Sequence, residues 1–79
     1  MPNVTIYTTP TCVYCKMAKK FFADHNVSYK EHDVAEDEKA REDMVNKSHQ
    51  FGVPVIDVDG QIFVGFDKRG LARALKVAE

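Results

Sequence analysis

Asp59-Gly60 stands between two short apolar runs, Val55-Ile56-Asp57-Val58 and Gln61-Ile62-Phe63-Val64. No other stretch constrains the fold as tightly. Asp-Gly is favoured in two-residue hairpin turns because both turn positions take a positive φ. Residues 55 to 64 are therefore expected to form an antiparallel pair. Upstream, Asn3 to Thr8 sets Val4 and Ile6 among the β-formers Thr5, Tyr7 and Thr8, which reads as a strand. Pro10 breaks it, having no N–H to give a ladder.

From Cys12 to about His25 the period changes. Cys15, Val13, Met17, Ala18, Phe21 and Phe22 fall on one arc of a 3.6-residue wheel, with Lys16, Lys19, Lys20 and Ala23 on the other. This predicts an amphipathic helix that begins at the cysteines and ends at Asn26. Val27 to Val34 reads as a second, more polar strand. Glu36 to about His49 carries only a thin apolar stripe of Ala40, Met44 and Val45. Glu38 and Glu42 repel across one turn, so packing must hold this helix, and Gly52 supplies its stop. Asp67 can cap a last helix carrying Leu71, Ala74, Leu75 and Ala78, with Gly70 weakening its start. The expected order is β-α-β-α-β-β-α. A strand–helix–strand start implies a right-handed parallel crossover, and the hairpin adds an antiparallel pair. The class is α/β, with one mixed four-stranded sheet.

With 79 residues, 44% of them hydrophobic, the chain can build one core, and residues 1–79 read as a single domain. A chain of this size buries only about 60–65% of its unfolded surface, and small domains often lean on disulfides or a metal. A bridge between Cys12 and Cys15 closes a loop of about four residues, worth ~2 kcal/mol, the low end of the range. The pair is a poor staple and a good reactive group. The net charge of −1 points neither to nucleic acid nor to an anionic membrane. No apolar run approaches the ~18 residues of a membrane span, and the N-terminus lacks a charged region followed by an apolar one. The expected location is the cytoplasm, where a disulfide is more often transient and catalytic than structural.

Cysteines spaced C-x-x-C where a strand hands over to a helix have a physical logic. The helix start offers unpaired N–H groups and a partial positive charge, both of which stabilise a thiolate. Cys12 lies at that start, on the same side of the wheel as Lys16 and Lys19, whereas Cys15 points toward the apolar arc. Cys12 is thus expected to be the exposed nucleophile and Cys15 the shielded resolving thiol. A thiol moved from pKa ~8.5 to ~7 gains about 16-fold in thiolate at pH 7. Its nucleophilicity falls about fivefold at a Brønsted slope of ~0.4–0.5, leaving about threefold. The stabilised thiolate matters more as a leaving group, when a second thiol attacks the mixed disulfide on Cys12. Half of a zinc site is the competing reading. Zinc needs four ligands, and His25, His32 and His49 are scattered without ligand spacing, as ordinary surface residues. Tyr14, between the cysteines, is expected to be exposed and to touch substrate. Lys16 is either a direct participant or part of a solvated helix face.

Thr9-Pro10-Thr11-Cys12-Val13-Tyr14-Cys15-Lys16 resembles the active-site segment of glutaredoxins, whose usual motif is C-P-Y-C. Gly52-Val53-Pro54 is similar to that family's Thr-Val-Pro, and Gly65-Phe66-Asp67 sits where the family carries Gly-Gly-x-Asp. The three motifs occur in the family's order and the resemblance spans essentially the whole chain. It implies a thioredoxin-like fold and a cis Val53-Pro54 bond. It further implies that Tyr14, Lys16, Val53, Pro54, Gly65, Phe66 and Asp67 form the substrate-binding surface around Cys12. Four departures stand out. Val13 replaces the motif proline, Thr9 replaces a lysine that meets the glycyl carboxylate of glutathione, Gly52 replaces threonine, and Phe66 replaces the second glycine. Val64-Gly65-Phe66 is also similar to the Ser-Gly-Phe of redoxins that serve ribonucleotide reductase and take electrons from thioredoxin reductase. The chain has no Trp, unlike thioredoxin itself, which carries one before its first cysteine.

The expected function is therefore dithiol reduction of protein or mixed disulfides by a monomer. Its electrons come from glutathione or from a flavoprotein reductase. No cofactor is bound tightly, and glutathione enters only as a co-substrate. An alternative the resemblance also carries is a [2Fe–2S] cluster shared between two protomers, through the first cysteine of each and two glutathiones. A third reading is a binding module with an incidental thiol pair.

Overall fold

A computed structural model describes residues 3–78. The strands and helices run β1 (Val4–Thr8), α1 (Val13–Asp24), β2 (Lys30–Asp33), α2 (Glu38–Ser48), β3 (Val55–Val58), β4 (Gln61–Val64) and α3 (Lys68–Leu75). This is the order the sequence predicts. One four-stranded sheet is ordered β2-β1-β3-β4. β1 and β2 are parallel, and β3 runs antiparallel to both β1 and β4.

Alternation along the central strands divides the core between the two faces of the sheet. Val4 and Ile6 of β1 and Ile56 and Val58 of β3 point to one side. There they pack with Phe21 and Phe22 of α1 and Leu71 and Leu75 of α3. Tyr7 and Val55 point to the other side and meet Ala40 and Met44 of α2. The thin stripe of α2 suffices because its ends are fixed separately. Asp37 accepts from the Ala40 N–H at 3.1 Å. Lys47 Nζ lies 3.0 Å from both Tyr7 Oη and Asp57 Oδ2. The hairpin turn is of the expected kind, with φ 50° at Asp59 and 92° at Gly60. Among the described residues, no helix is long and apolar enough to cross a membrane.

Several boundaries differ from the sequence expectation. β2 covers only residues 30–33, because β1 pairs with it solely through Thr5 to Thr8. Val27 and Tyr29 pack on the core from the preceding loop. α2 starts at Glu38, since Asp33 to Asp37 forms a turn with Asp37 N–H bonded to the Asp33 carbonyl at 2.9 Å. α2 is closed by His49 in the left-handed region (φ 60°), one turn before Gly52. α3 stops at Leu75, with Lys76 left-handed, so Ala78 lies beyond it. On α1 the apolar arc divides: Cys15, Ala18, Phe21 and Phe22 are buried, whereas Val13 and Met17 are exposed. The core covers only one side of the first turns of α1 and leaves Val13 and Met17 in solvent.

Candidate active site

The register of the sheet gathers three chain segments at one end. Tyr7 pairs with Val55 and Val55 with Val64. The residues after β1, before β3 and after β4 therefore leave the sheet side by side. They carry Thr9 to Cys12, Phe51 to Pro54, and Gly65 to Asp67 respectively. The last two are joined directly, with the Gly65 N–H donating to the Pro54 carbonyl at 2.8 Å. Gly65 turns the chain there with φ 83°. The Val53-Pro54 peptide is cis, and Pro54 is fully buried.

Cys12 is the N-cap of α1. Its backbone is extended, and its Sγ accepts the Cys15 N–H at 3.1 Å, a task usually given to a Ser, Thr, Asp or Asn oxygen. No acidic residue occupies the first turn, so nothing opposes the positive end of the helix dipole at this sulfur. Cys12 and Cys15 are joined as a disulfide, with Cα atoms 5.2 Å apart. Their environments differ sharply: Cys12 is half-buried, whereas Cys15 is 1% exposed. A partner sulfur can reach Cys12, and only Cys12 can be reached by Cys15.

The remaining predicted residues are placed as follows. Tyr14 and Lys16 are exposed on the first turn of α1. Lys19 turns away from Cys12 and pairs with Glu31 at 2.9 Å, and Lys20 pairs with Asp24 at 3.0 Å. Val53 is half-buried against the α2 side of the core. Phe66 lies half-buried on the other side, edge-on to Phe21 with ring centres 6.0 Å apart. With Met17, Lys20 and Lys68 it lines a shallow cleft. Asp67 is the N-cap of α3, and its Oδ1 accepts the Gly70 N–H at 3.0 Å. The three histidines sit apart: His25 beside Phe21, His32 stacked on Tyr7, and His49 at the end of α2. Among the described residues no group of His, Cys, Asp or Glu is arranged to hold a metal ion.

Three features beside the site were not anticipated from the sequence. Thr8, 2% exposed, donates its hydroxyl to Glu31 Oε2 at 2.9 Å, the same oxygen that holds Lys19. The Lys19 hydrogen bond is the largest influence holding the Glu31 carboxyl below its ordinary pKa; burial opposes it, and the Thr8 hydroxyl assists. Gln50 folds its side-chain amide onto Gly52, accepting its N–H and donating to its carbonyl at 3.0 Å. Phe51, between them, is 79% exposed. A Phe in an otherwise polar link before Gly-Val-Pro was the available signal for the last.

A family model described as Glutaredoxin matches residues 4–64. An uncharacterised glutaredoxin-like 8.6 kDa protein of the rubredoxin operon of Clostridium pasteurianum is 42% identical over 73 residues, covering 92% of this chain and 97% of that protein. Glutaredoxin 3 of Escherichia coli K12 is 39% identical over 67 residues, covering 85% of this chain and 81% of its own. Among solved structures, a variant of the thioredoxin-like protein BC3987 superposes with a TM-score of 0.91 at 29% identity, over 99% of this chain and 100% of that one.

Proposed function

The chain belongs to the glutaredoxin family of thiol–disulfide oxidoreductases, and from that premise we propose that it reduces disulfides in other proteins with electrons from a flavoprotein disulfide reductase. The observation that carries the reading is the asymmetry of the pair: Cys12 caps the helix within reach of a partner, and Cys15 is sealed behind it. The Cys12 thiolate attacks one sulfur of a substrate disulfide. That bond breaks, and the departing sulfur leaves as a thiolate that takes up a proton. Cys15, deprotonated, then attacks Cys12 Sγ and expels the second substrate thiol. Cys12 and Cys15 end as a disulfide, two electrons having passed to the substrate, and the reductase returns two electrons to restore the dithiol.

The choice of donor rests on the rim of the site. Glutathione carries a carboxylate at each end, one of them beside an ammonium, and its carboxylates call for fixed cations. Here Thr9 stands where the family's carboxylate-binding lysine is expected, and Lys19 and Lys20 are engaged by Glu31 and Asp24. Val13, Tyr14 and Met17 instead present exposed apolar surface around Cys12, which suits a protein partner. In this reading the protein acts as a cytoplasmic monomer whose only redox group is the cysteine pair, and anaerobic reconstitution with iron and sulfide leaves it colourless.

The test is NADPH consumption with a disulfide protein such as insulin, driven either by thioredoxin reductase or by glutathione with glutathione reductase. Turnover at least tenfold faster with the first system is expected. Faster turnover with glutathione overturns the donor assignment. No turnover with either, in a folded protein with titratable thiols, overturns the reductase reading.

A further inference from the structure

A single exposed apolar side chain is ordinary on a protein surface, so the 79% exposure of Phe51 means nothing alone. Its backbone setting is what distinguishes it. The Gln50 amide bridges Gly52 on the far side of Phe51, accepting its N–H and donating to its carbonyl. Gln50 Nε2 also lies 3.3 Å from Ser48 Oγ, which donates to the Met44 carbonyl at 2.6 Å. The clamp is thereby tied to the last turn of α2, and its span leaves the Phe51 ring facing outward. Gly52 leaves room for it: a Cβ there would come within 2.8 Å of Gln50 Oε1 and push the glutamine side chain aside. The glycine, which replaces the family's threonine, and the glutamine two residues before it form one device.

The device lies at the reactive end of the sheet. The pairing of Tyr7 with Val55 carries Pro54 alongside Thr8, so Phe51 and Val53 run beside the loop that delivers Cys12. Val53 is half-buried against the α2 side of the core, whereas Phe51 is exposed at the outer edge of the segment that borders the Cys12 loop.

We propose that Phe51 is a specificity-determining side chain for polypeptide disulfides, selecting substrates with a large apolar residue next to the reacting cysteine, and that Gln50 is its positioning residue. The inference rests on the disulfide-reductase reading and narrows its substrate class. Interface energy concentrates on a few aromatic anchors, and a side chain carried on backbone that is already clamped loses less freedom when it is covered. A small disulfide does not extend far enough to meet it.

The test uses the pre-reduced protein in single-turnover stopped flow, which needs no electron donor. Substrates are two short peptides carrying thionitrobenzoate on one cysteine, flanked by Leu in one and Asp in the other, together with 5,5′-dithiobis(2-nitrobenzoate). Wild type is expected to prefer the Leu peptide by about tenfold, a typical weight for one interface aromatic. Phe51→Ala should abolish that preference while changing the rate on the small disulfide less than twofold. Phe51→Tyr should keep the preference, and Gln50→Ala and Gly52→Ala should each lose part of it. A Phe51→Ala protein that still prefers the Leu peptide, or that slows equally on all three substrates, overturns the proposal. A wild-type protein inert toward the small disulfide removes the reductase reading, and this proposal with it.

Discussion

Asp67 occupies a position where family resemblance expects a substrate-binding carboxylate, and the structure shows that carboxylate capping α3. Replacing it with Ala separates the two roles. Losing an N-cap acceptor costs about 1 kcal/mol, and losing an anion at a helix start costs a further ~0.3–1 kcal/mol. Asp67 is exposed, so solvent screening favours the lower figure for the charge. The expected loss is about 1.5 kcal/mol. For a chain of 79 residues the unfolding entropy at the midpoint is about 0.17 kcal/mol per kelvin, so Tm falls by ~9 °C. Asp67→Asn keeps the side-chain acceptor for the Gly70 N–H and gives up only the charge, and its Tm should fall by about 2–4 °C. Both values are read by calorimetry on the oxidised protein, and turnover is measured at 25 °C, where each variant stays folded. Turnover that follows the charge, falling equally in Asn and Ala, assigns Asp67 to substrate. An Ala variant within about 2 °C of wild type, or an Asn variant as unstable as Ala, refutes the capping argument.

Cys12→Ser should abolish turnover, whereas Cys15→Ser should accumulate the mixed disulfide, seen by mass spectrometry as one substrate chain attached to Cys12. Glu31 titrates below its ordinary 4.5 in the folded protein, chiefly because of Lys19. The stability it contributes is therefore complete above that value and lost as pH falls through the depressed one. Urea midpoints measured from pH 6 down to pH 3 should decline, and Lys19→Met should flatten the decline. Phe22 is fully buried between α1 and the sheet. Phe22→Ala should cost about 3–5 kcal/mol, a large part of the ~4–12 kcal/mol expected for a domain of this length; a shift below 1 kcal/mol in urea would contradict the packing described.

The parts of the fold that sequence reveals are those decided locally. Asp59-Gly60 fixes its own turn through backbone preference, and the switch from alternation to a 3.6-residue period marks where β1 ends and α1 begins. Cys12 and Cys15 were legible for the same reason, since their spacing and the helix start lie within four residues. Part of what escaped was decided at a distance, and part by local backbone choices that carry no pattern. Val27 to Val34 contains enough β-formers for eight residues of strand, yet only the four that face Thr5 to Thr8 find partners. Val13 and Met17 fit the apolar arc, but whether each part of an arc is covered depends on what the rest of the chain packs against it. His49 closes α2 in a left-handed conformation that few residues other than Gly and Asn advertise. The Gln50 clamp depends on a side chain folding back on its own backbone, a choice no periodicity records.

The hydrogen bond from the Cys15 amide to Cys12 Sγ links the chemistry to the polypeptide itself. A disulfide sulfur is a weak acceptor and a thiolate a strong one, because bonds to charged acceptors are roughly twice as strong. Reduction of Cys12 to the thiolate is therefore expected to strengthen the bond from the Cys15 amide. The electron pair is stored in the sulfurs, and the Cys15 amide proton is expected to exchange with water more slowly in the reduced protein, a difference that hydrogen exchange of the two forms reads directly.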